Sequence, residues 1–258
     1  MKQSMYYTLP DNACLYYERS GNPEGFPLLL LHGGLGNLTH LYAIHQYIPS
    51  QYQLISLDLR GHGKSTLGIK PLTYAQYQQD ISALLEHLKI KQFAILGFSD
   101  GGIVAYRLAA AYPDRVTQLT TLGAQWKLDP DGEIARMFKD LSAEFWQKEF
   151  KQDVDYYLAQ NPAPDFPILF EQVKNLWLDQ SSSGYPQEMI ADITCPTLIA
   201  RGEDDFLFSL QEAIEMVEKI PHAHFFNIPF AQHEAHIEFT ALFGIAINRF
   251  LTEQSNAH

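Results

Sequence analysis

Residues 93–102 read FAILGFSDGG, and this stretch is the strongest indication of the fold. An apolar run typical of a buried strand leads into the pattern GxSxG, with Ser99 at its centre. An Ala-rich segment at 101–112 then ends before a proline, as a helix does. Small residues at positions 97 and 101 allow a sharp bend between strand and helix, which lifts the Ser99 hydroxyl above the sheet. The stretch predicts a nucleophilic serine, with an ordinary glycine-rich turn as the alternative.

Short apolar runs alternate with helix-length segments along most of the chain. The runs that we predict as strands are 14–19, 28–31, 54–57, 93–96, 116–122, 197–200 and 225–228. They are continuous rather than alternating, which is typical of parallel strands covered on both faces. Residues 74–88 place apolar side chains three and four apart, which indicates one face of a helix. The sequence predicts an α/β fold, with a mostly parallel central sheet flanked by helices.

The alternation stops between residues 129 and 192. This part has a turn-rich NPAPDFP at 161–167 and no convincing strand. Its apolar residues recur at helical spacing, as they do at Ile134, Met137, Phe138, Leu141 and Phe145. We therefore predict a core made of residues 1–128 and 193–258, interrupted by a helical insert at 129–192.

Composition and charge exclude several classes of function. The 258 residues are 46% hydrophobic, and 30 acidic against 18 basic side chains give a net charge of −12. This acidity argues against nucleic acid or an anionic membrane as a partner, because phosphate contacts need clustered Lys and Arg. Two distant cysteines, with no signal-like or membrane-spanning run, predict a cytoplasmic protein. Whether the chain forms a homo-oligomer is left open.

A serine nucleophile needs a base, and position selects one of the ten histidines. His233 follows the last predicted strand, so it lies at the same edge of the sheet as Ser99. Its rivals are His222, His224 and His236. The acid that orients the base is expected after the preceding strand, in LIARGEDD (198–205), where the residues alone do not separate Asp204 from Asp205. The chain order Ser, Asp, His is the one expected for a serine on this kind of turn.

The loop after the strand at 28–31 supplies the third part of the predicted site. It reads HGGLG at 32–36, where glycine can turn a backbone amide toward a tetrahedral intermediate without obstruction by a side chain. We expect the amides of Gly34 and Asp100 to form this oxyanion hole, with Leu35 as the rival of Gly34. A phosphate-binding loop is the competing interpretation, but the segment lacks both the Walker lysine and the GxGxxG spacing.

No cofactor and no metal are predicted. The string HEAH at 233–236 is one residue short of the zinc motif HExxH, so its two imidazoles would not lie four residues apart on a helix. The expected chemistry therefore uses only side chains and backbone amides.

Five motifs together resemble the α/β-hydrolase superfamily. They are HGGLG (32–36), DLRGHGKS (58–65), GFSDGG (97–102), RGEDD (201–205) and QHEAHIE (232–238). The resemblance implies a catalytic triad in which Asp205 is the acid and His233 the base. It also implies that the insert at 129–192 is a lid over the active site. Ser99 argues against the dehalogenase and epoxide hydrolase branches, which use an aspartate at that position.

Within the superfamily, GFSDGG followed by YPDRV, together with CPTLIARGEDD and QHEAHIEF, is similar to the valacyclovir hydrolase group. That group cleaves esters of α-amino acids, and its aspartate after the nucleophile, here Asp100, is associated with the substrate ammonium. The implied function is cleavage of small-molecule carboxylic esters through an acyl-enzyme. The oxyanion loop departs from that group, so the substrate stays open. The alternatives are a carbon-carbon hydrolase, a lactonase or a perhydrolase on the same triad, and a non-catalytic interaction scaffold.

The insert is both acidic and aromatic. Residues 129–192 carry 13 acidic and 5 basic side chains, a net charge of −8, and ten aromatic side chains. One interpretation is a lid that receives an apolar ester with an ammonium group, contacted by Asp100, Trp146 and Trp177. The other is an aromatic interior whose charges only face solvent. The sequence leaves both interpretations open.

Overall fold

An eight-stranded sheet runs through the computed structural model, which describes residues 2–255. The strands are β1 (Gln3–Thr8), β2 (Cys14–Gly21), β3 (Phe26–Leu31), β4 (Tyr52–Leu57), β5 (Phe93–Phe98), β6 (Val116–Leu122), β7 (Thr197–Gly202) and β8 (Ala223–Ile228). Their order is β1-β2-β4-β3-β5-β6-β7-β8. β2 pairs antiparallel with β1 and β4, and the remaining pairs are parallel. The predicted α/β fold is confirmed. Residues 1 and 256–258 of the predicted core lie outside the described part.

Helices cover both faces of this sheet. They are α1 (Tyr74–His87), α2 (Asp100–Ala111), α3 (Glu133–Asp140), α4 (Ala143–Glu149), α5 (Lys151–Gln160), α6 (Phe166–Trp177), α7 (Leu210–Lys219), α8 (Ala235–Glu238) and α9 (Thr240–Ser255), with 3-10 segments at Leu38–Tyr47 and Gln187–Asp192. α1 begins after Thr73, whose hydroxyl accepts a hydrogen bond from the backbone amide of Gln76. Within residues 2–255, no helix is long and apolar enough to cross a membrane.

β3 explains why the predicted strands are apolar throughout. Successive side chains of a strand point to opposite faces, so a sheet covered on both sides needs apolar residues at every position. Leu28 and Leu30 belong to the cluster that includes Phe243 and Ile247 of α9. Leu29 and Leu31 belong to the other cluster, which extends through α1 and α2.

The sequence analysis did not predict β1. Its six residues, QSMYYT, alternate between exposed and half-buried positions at one edge of the sheet. Only β2 pairs with it. An edge strand of this kind has no continuous apolar run, so the signal that identified the central strands is missing.

The segment 129–192 contains α3 to α6 and the second 3-10 segment, and no strand. The apolar residues at helical spacing across 134–145 fall on two helices and not on one. α3 ends at Asp140, and α4 begins after a new N-cap residue. The Ser142 hydroxyl accepts a hydrogen bond from the amide of Phe145. As a result Phe138 is buried in the core, whereas Phe145 is 50% exposed. α6 supplies six of the twelve buried hydrophobic side chains of the segment, namely Phe166, Leu169, Phe170, Val173, Leu176 and Trp177.

Candidate active site

The predicted site residues meet at one edge of the sheet. Ser99 directly follows β5, Asp205 follows β7, and His233 follows β8. Gly34 lies in the loop after β3, the strand beside β5. Because these strands are parallel, their carboxyl ends lie at the same edge, and side chains far apart in the chain come together there.

The turn that carries Ser99 has a strained backbone. Ser99 has φ 50° and ψ −121°, a combination that residues other than glycine rarely adopt. A Cβ atom at Gly97 would lie 2.4 Å from the carbonyl oxygen of Gly101, and one at Gly101 would lie 2.4 Å from that of Leu31. The two glycines of the GxSxG motif are therefore required by close backbone approach, and the bend presents the serine hydroxyl at the start of α2.

Ser99, His233 and Asp205 form a continuous hydrogen-bonded chain. Nε2 of His233 lies 3.0 Å from Oγ of Ser99, and Nδ1 of His233 lies 3.0 Å from both carboxylate oxygens of Asp205. Asp205 Oδ1 also accepts hydrogen bonds from the backbone amides of Leu207 and Phe208. The Asp205 side chain is fully buried, and that of His233 is 16% exposed. Neutral His233 thus carries its proton on Nδ1 and can accept the serine proton at Nε2.

The rival residues lie elsewhere. Asp204 is exposed, and its backbone amide donates to the carbonyl of Ala231. His222 and His224 are exposed on the turn into β8 and on β8 itself. His236 is fully buried with its ring against Phe98, 4.3 Å between centroids, and burial lowers its pKa to about 3. None of these side chains contacts Ser99 in the hydrogen bonds of residues 2–255.

The two candidate oxyanion amides differ in whether they are already engaged. The amide of Leu35 donates to Nε2 of His62 at 3.0 Å. The amides of Gly34 and Asp100 make no hydrogen bond to another group of the described residues, and both residues line the cavity above Ser99. This arrangement favours Gly34 over Leu35 as the partner of Asp100.

A cavity of about 510 Å³ opens above Ser99. Its wall on the side of the helical segment is apolar, formed by Met137, Phe138, Leu141, Phe145, Trp146 and Phe150. Its acidic lining residues are Asp100, Glu149, Asp153, Glu234 and Glu238. The described residues that line it include no Lys and no Arg. The cavity therefore suits an apolar ligand that is neutral or cationic, because a buried anion would find no basic side chain there.

Asp100 is a buried carboxylate with specific donors. Its Oδ1 accepts a hydrogen bond from the hydroxyl of Tyr74 at 2.9 Å. The indole N–H of Trp177 lies 3.0 Å from Oδ1 and 2.9 Å from Oδ2. Burial raises the pKa of Asp100 to about 6, while the Trp177 and Tyr74 hydrogen bonds lower it. The carboxylate is ionised at neutral pH and has remaining capacity to accept a hydrogen bond from a cationic ligand.

The charges of the segment 129–192 mostly face away from the site. Of its acidic residues, only Glu149 and Asp153 line the cavity, and Asp153 lies 2.9 Å from Nε2 of His40. Some aromatic residues of the segment line the cavity, and others are buried in the core. Trp146 and Trp177 line the cavity with 5.6 Å between their ring centroids, whereas Phe170 is fully buried in the core. The charge count of the segment is thus a poor guide to the site, and its aromatic content is a better one.

Two contacts in the site were absent from the sequence analysis. Tyr74 reaches Asp100 from the first turn of α1, and His40 joins the 3-10 segment Leu38–Tyr47 to α5 through Asp153. Neither residue belongs to one of the five motifs, so nothing in the sequence distinguished them from other tyrosines and histidines. Within the described residues, no group of three or more His, Cys, Asp or Glu is arranged to hold a metal ion.

Comparison with known proteins gives relatives over nearly the whole chain. A family model described as alpha/beta hydrolase fold matches residues 27–145. Serine hydrolase BPHL from Mus musculus is 27% identical over 248 residues, covering 92% of this chain and 82% of that protein. The 2-hydroxymuconate semialdehyde hydrolase of Pseudomonas sp. (strain CF600) is 25% identical over 260 residues, covering 90% and 89%. A meta-cleavage product hydrolase from Pseudomonas fluorescens has a similar fold, with TM-score 0.80 over 97% of each chain at 20% identity.

Fold, motif order and relatives agree with one another. The eight-stranded sheet carries Ser99 on a strained strand-to-helix turn. The match to each of the two relatives named above covers most of the length of that protein. The chain therefore has the α/β-hydrolase fold, and the two relatives that it matches over most of its length are hydrolases.

Proposed function

We propose that the protein hydrolyses small carboxylic esters through an acyl-enzyme, with Ser99 as the nucleophile. The observation that carries the proposal is the hydrogen-bonded chain from Ser99 through His233 to Asp205 at the floor of an apolar cavity. Two unengaged amides, those of Gly34 and Asp100, lie beside the same serine. A nucleophile, a base and two oxyanion donors are the groups that acyl transfer requires.

The reaction proceeds in two steps, acylation of Ser99 and then hydrolysis of the acyl-enzyme. Oγ of Ser99 attacks the ester carbon while its proton passes to Nε2 of His233, and the oxyanion accepts hydrogen bonds from the Gly34 and Asp100 amides. The carbon-oxygen bond to the alcohol then breaks as His233 returns that proton to the leaving oxygen. Water attacks the acyl-enzyme with its proton going to His233. The bond to Ser99 breaks, and Oγ recovers the proton.

Asp100 supports a finer proposal about the substrate. Asp100 lines the cavity beside Ser99, and the described lining contains no Lys or Arg that would compete for its carboxylate or receive an anion. An ester whose acyl part carries an α-ammonium group would place that charge at Asp100 and its apolar side chain against Trp146 and Phe138. We propose that residues 129–192 act as the lid that forms this apolar wall.

A carbon-carbon hydrolase is the second candidate, since one relative is a 2-hydroxymuconate semialdehyde hydrolase. Substrates of that chemistry carry a carboxylate. The lining includes Glu149, Asp153, Glu234 and Glu238 and, among the described residues, neither Lys nor Arg. The charge distribution therefore favours the ester over an anionic carbon-carbon substrate.

The decisive experiment compares three benzyl esters, those of alanine and N-acetylalanine and the monobenzyl ester of succinic acid. Their acyl groups are cationic, neutral and anionic, respectively. We expect kcat/KM at pH 7.5 to fall in that order, with at least about a tenfold step from cationic to neutral, as expected for a desolvated charge pair. The Ser99→Ala protein supplies the background rate. Equal values for alanine and N-acetylalanine esters would remove the ammonium proposal, and no turnover of any ester would remove the esterase proposal.

A further inference from the structure

Two buried histidines hold the loop that carries Gly34. His32 opens the loop after β3, and His62 comes from the RGHG stretch after β4. Their exposed fractions are 0% and 1%, and their ring centroids lie 5.2 Å apart. Neither ring takes part in the proton transfers of the proposed reaction. Each nevertheless makes two hydrogen bonds with backbone groups.

The hydrogen bonds define the tautomer of each ring. Nε2 of His32 receives the backbone N–H of Leu59 at 3.0 Å, and Nε2 of His62 receives that of Leu35 at 3.0 Å. An amide N–H can only donate, so both Nε2 atoms carry lone pairs and both protons lie on Nδ1. These Nδ1–H groups donate to the carbonyls of Gly33, at 2.6 Å, and Arg60, at 3.0 Å. Burial lowers the pKa of His62 to about 4.

The bond from His32 orients the peptide between Gly33 and Gly34. In a planar trans peptide the C=O and the following N–H point in opposite directions. The Gly33 carbonyl is drawn to Nδ1 of His32 and also accepts from the amide of Gly36 at 3.2 Å. The N–H of Gly34 must then point away from His32.

The bond from His62 orients the next peptide. Leu35 has φ 54°, in the left-handed region that residues other than glycine rarely occupy. Its N–H is held by Nε2 of His62, and its side chain is 6% exposed. With the carbonyl before Gly34 and the amide after it both fixed, the Gly34 N–H is the loop amide left for a ligand in the cavity.

We infer that His32 and His62 are a pair of positioning residues, which clamp the peptides on either side of Gly34 so that its amide is preorganised as an oxyanion donor. The inference rests on the proposed function, because it assigns a task to the loop in that reaction. It also explains why Gly34 and not Leu35 supplies the amide. The acceptor at Nε2 of His62 is the part of the clamp that a substitution can test most cleanly.

Two amide side chains make a matched pair of variants. In His62→Gln the side-chain oxygen can reach the position of Nε2 and accept the Leu35 N–H, whereas in His62→Asn it is one methylene too short. We measure kcat and KM for p-nitrophenyl acetate and the Kd of phenylboronic acid, which forms a tetrahedral adduct with an active-site serine. His62→Asn should lower kcat by about 10²- to 10³-fold, the usual loss for one oxyanion donor, with KM changed less than about threefold. The Kd should rise at least about tenfold, and His62→Gln should recover most of both losses.

His45→Asn is the control, because it removes a neutral imidazole from the 3-10 segment Leu38–Tyr47 without contact to the loop. It should leave kcat and Kd unchanged. A folded His62→Asn protein with wild-type kcat and Kd overturns the inference, as does an equal loss in His62→Asn and His62→Gln. If His62→Asn does not fold, His62→Gln alone decides, since a large loss of boronic acid affinity there contradicts the clamp.

The boronic acid also separates this inference from the proposed function. A wild-type protein that binds phenylboronic acid but hydrolyses no ester would refute the esterase proposal, and the variants would still test the clamp through Kd. A wild-type protein that neither binds the acid nor turns over an ester would refute both.

Discussion

The carboxyl edge of the sheet and the helical segment 129–192 build the two sides of one cavity in different ways. At the edge, Ser99, Asp205 and His233 each lie within five residues of the end of a strand and are fixed by hydrogen bonds to one another. From the helical segment, the Trp177 indole donates to Asp100 and the Asp153 carboxylate contacts His40, and the remaining lining contributed by the segment is mainly apolar. Under the proposed function, the sheet edge carries out the chemistry, whereas the segment selects the ligand. Variants at the sheet edge should lower kcat/KM for all substrates by the same factor. Variants in the segment should change the ratio of kcat/KM between substrates.

The largest effect should come from Ser99→Ala. Loss of the nucleophile from a hydrogen-bonded triad lowers kcat by about 10⁶-fold in serine hydrolases of comparable geometry. We expect a loss of this order for the alanine and the N-acetylalanine benzyl ester equally, with Tm unchanged within a few degrees. If the two esters lost activity unequally, the serine would contribute to selectivity and the division between the two regions would be wrong.

Asp205→Asn should have the next largest effect, and Asp204→Asn is its matched control. The Asn oxygen can still accept from the amides of Leu207 and Phe208, but its NH₂ group would force the wrong tautomer of His233. The expected loss in kcat is about 10⁴-fold. Asp204 is exposed, so its variant should stay within about twofold of wild type. Similar rates for the two variants would contradict the assignment of Asp205 as the acid.

Trp177→Phe tests the segment side of the comparison. It removes the indole N–H that stabilises ionised Asp100, so the pKa of that carboxyl should rise above its wild-type value of about 6. In the wild type, the preference for alanine over N-acetylalanine benzyl ester should be full above pH 7 and should disappear as the pH falls through about 6. In the variant this loss should shift to higher pH, and the preference at pH 7 should fall by up to about twofold, because a rise of about half a pKa unit to one unit lowers the ionised fraction of Asp100 by that much.

Trp146→Phe is the control for that experiment. Trp146 lines the same cavity, but its ring lies against Phe150 and makes no hydrogen bond to Asp100 in the described residues. Its variant should alter KM for both esters without moving the pH at which the preference disappears. A shift of the same size in both variants would mean that aromatic bulk, and not the hydrogen bond, controls Asp100.

The smallest effect concerns the junction between the two regions. Glu212 of α7 accepts the backbone amide of Trp126, just before the helical segment, and burial raises its pKa to about 8. The folded state therefore holds a proton that the unfolded state releases near pH 4.5, and stability falls as the pH rises between these values. Glu212→Gln keeps the acceptor and cannot ionise. Its Tm should match the wild type at pH 5 and exceed it by a few degrees at pH 9.

Glu215→Gln, one helical turn later, provides the comparison. The Glu215 carboxylate pairs with Lys127 near the surface, and this pairing lowers its pKa below the ordinary value. With its pKa below 4.5 the carboxylate does not titrate between pH 6 and 9, so the variant should change Tm without a trend over that range. A Glu212→Gln protein with the same flat profile would show that its carboxyl does not titrate in the folded state.

Much of the edge was predictable because its residues obey local rules. A strand, a sharp turn and a helix are encoded within 93–102, and the order of motifs identified Ser99, Asp205 and His233 as a group. The choice between Gly34 and Leu35 was not predictable, since it depends on His62, 27 residues further along the chain. The partners of Asp100 are also far away in the chain, 26 positions at Tyr74 and 77 at Trp177.

The sequence by itself determined the α/β architecture, the central strands and the side chains gathered at the carboxyl edge, because apolar periodicity and turn chemistry act within a few residues. Only the tertiary structure decided which amide of the HGGLG loop is unengaged, that Trp177 and Tyr74 hold Asp100, and that most charges of the segment 129–192 face away from the cavity. These features depend on contacts between side chains far apart in the chain and on which face of a helix is turned inward. Packing fixes both, and local sequence does not.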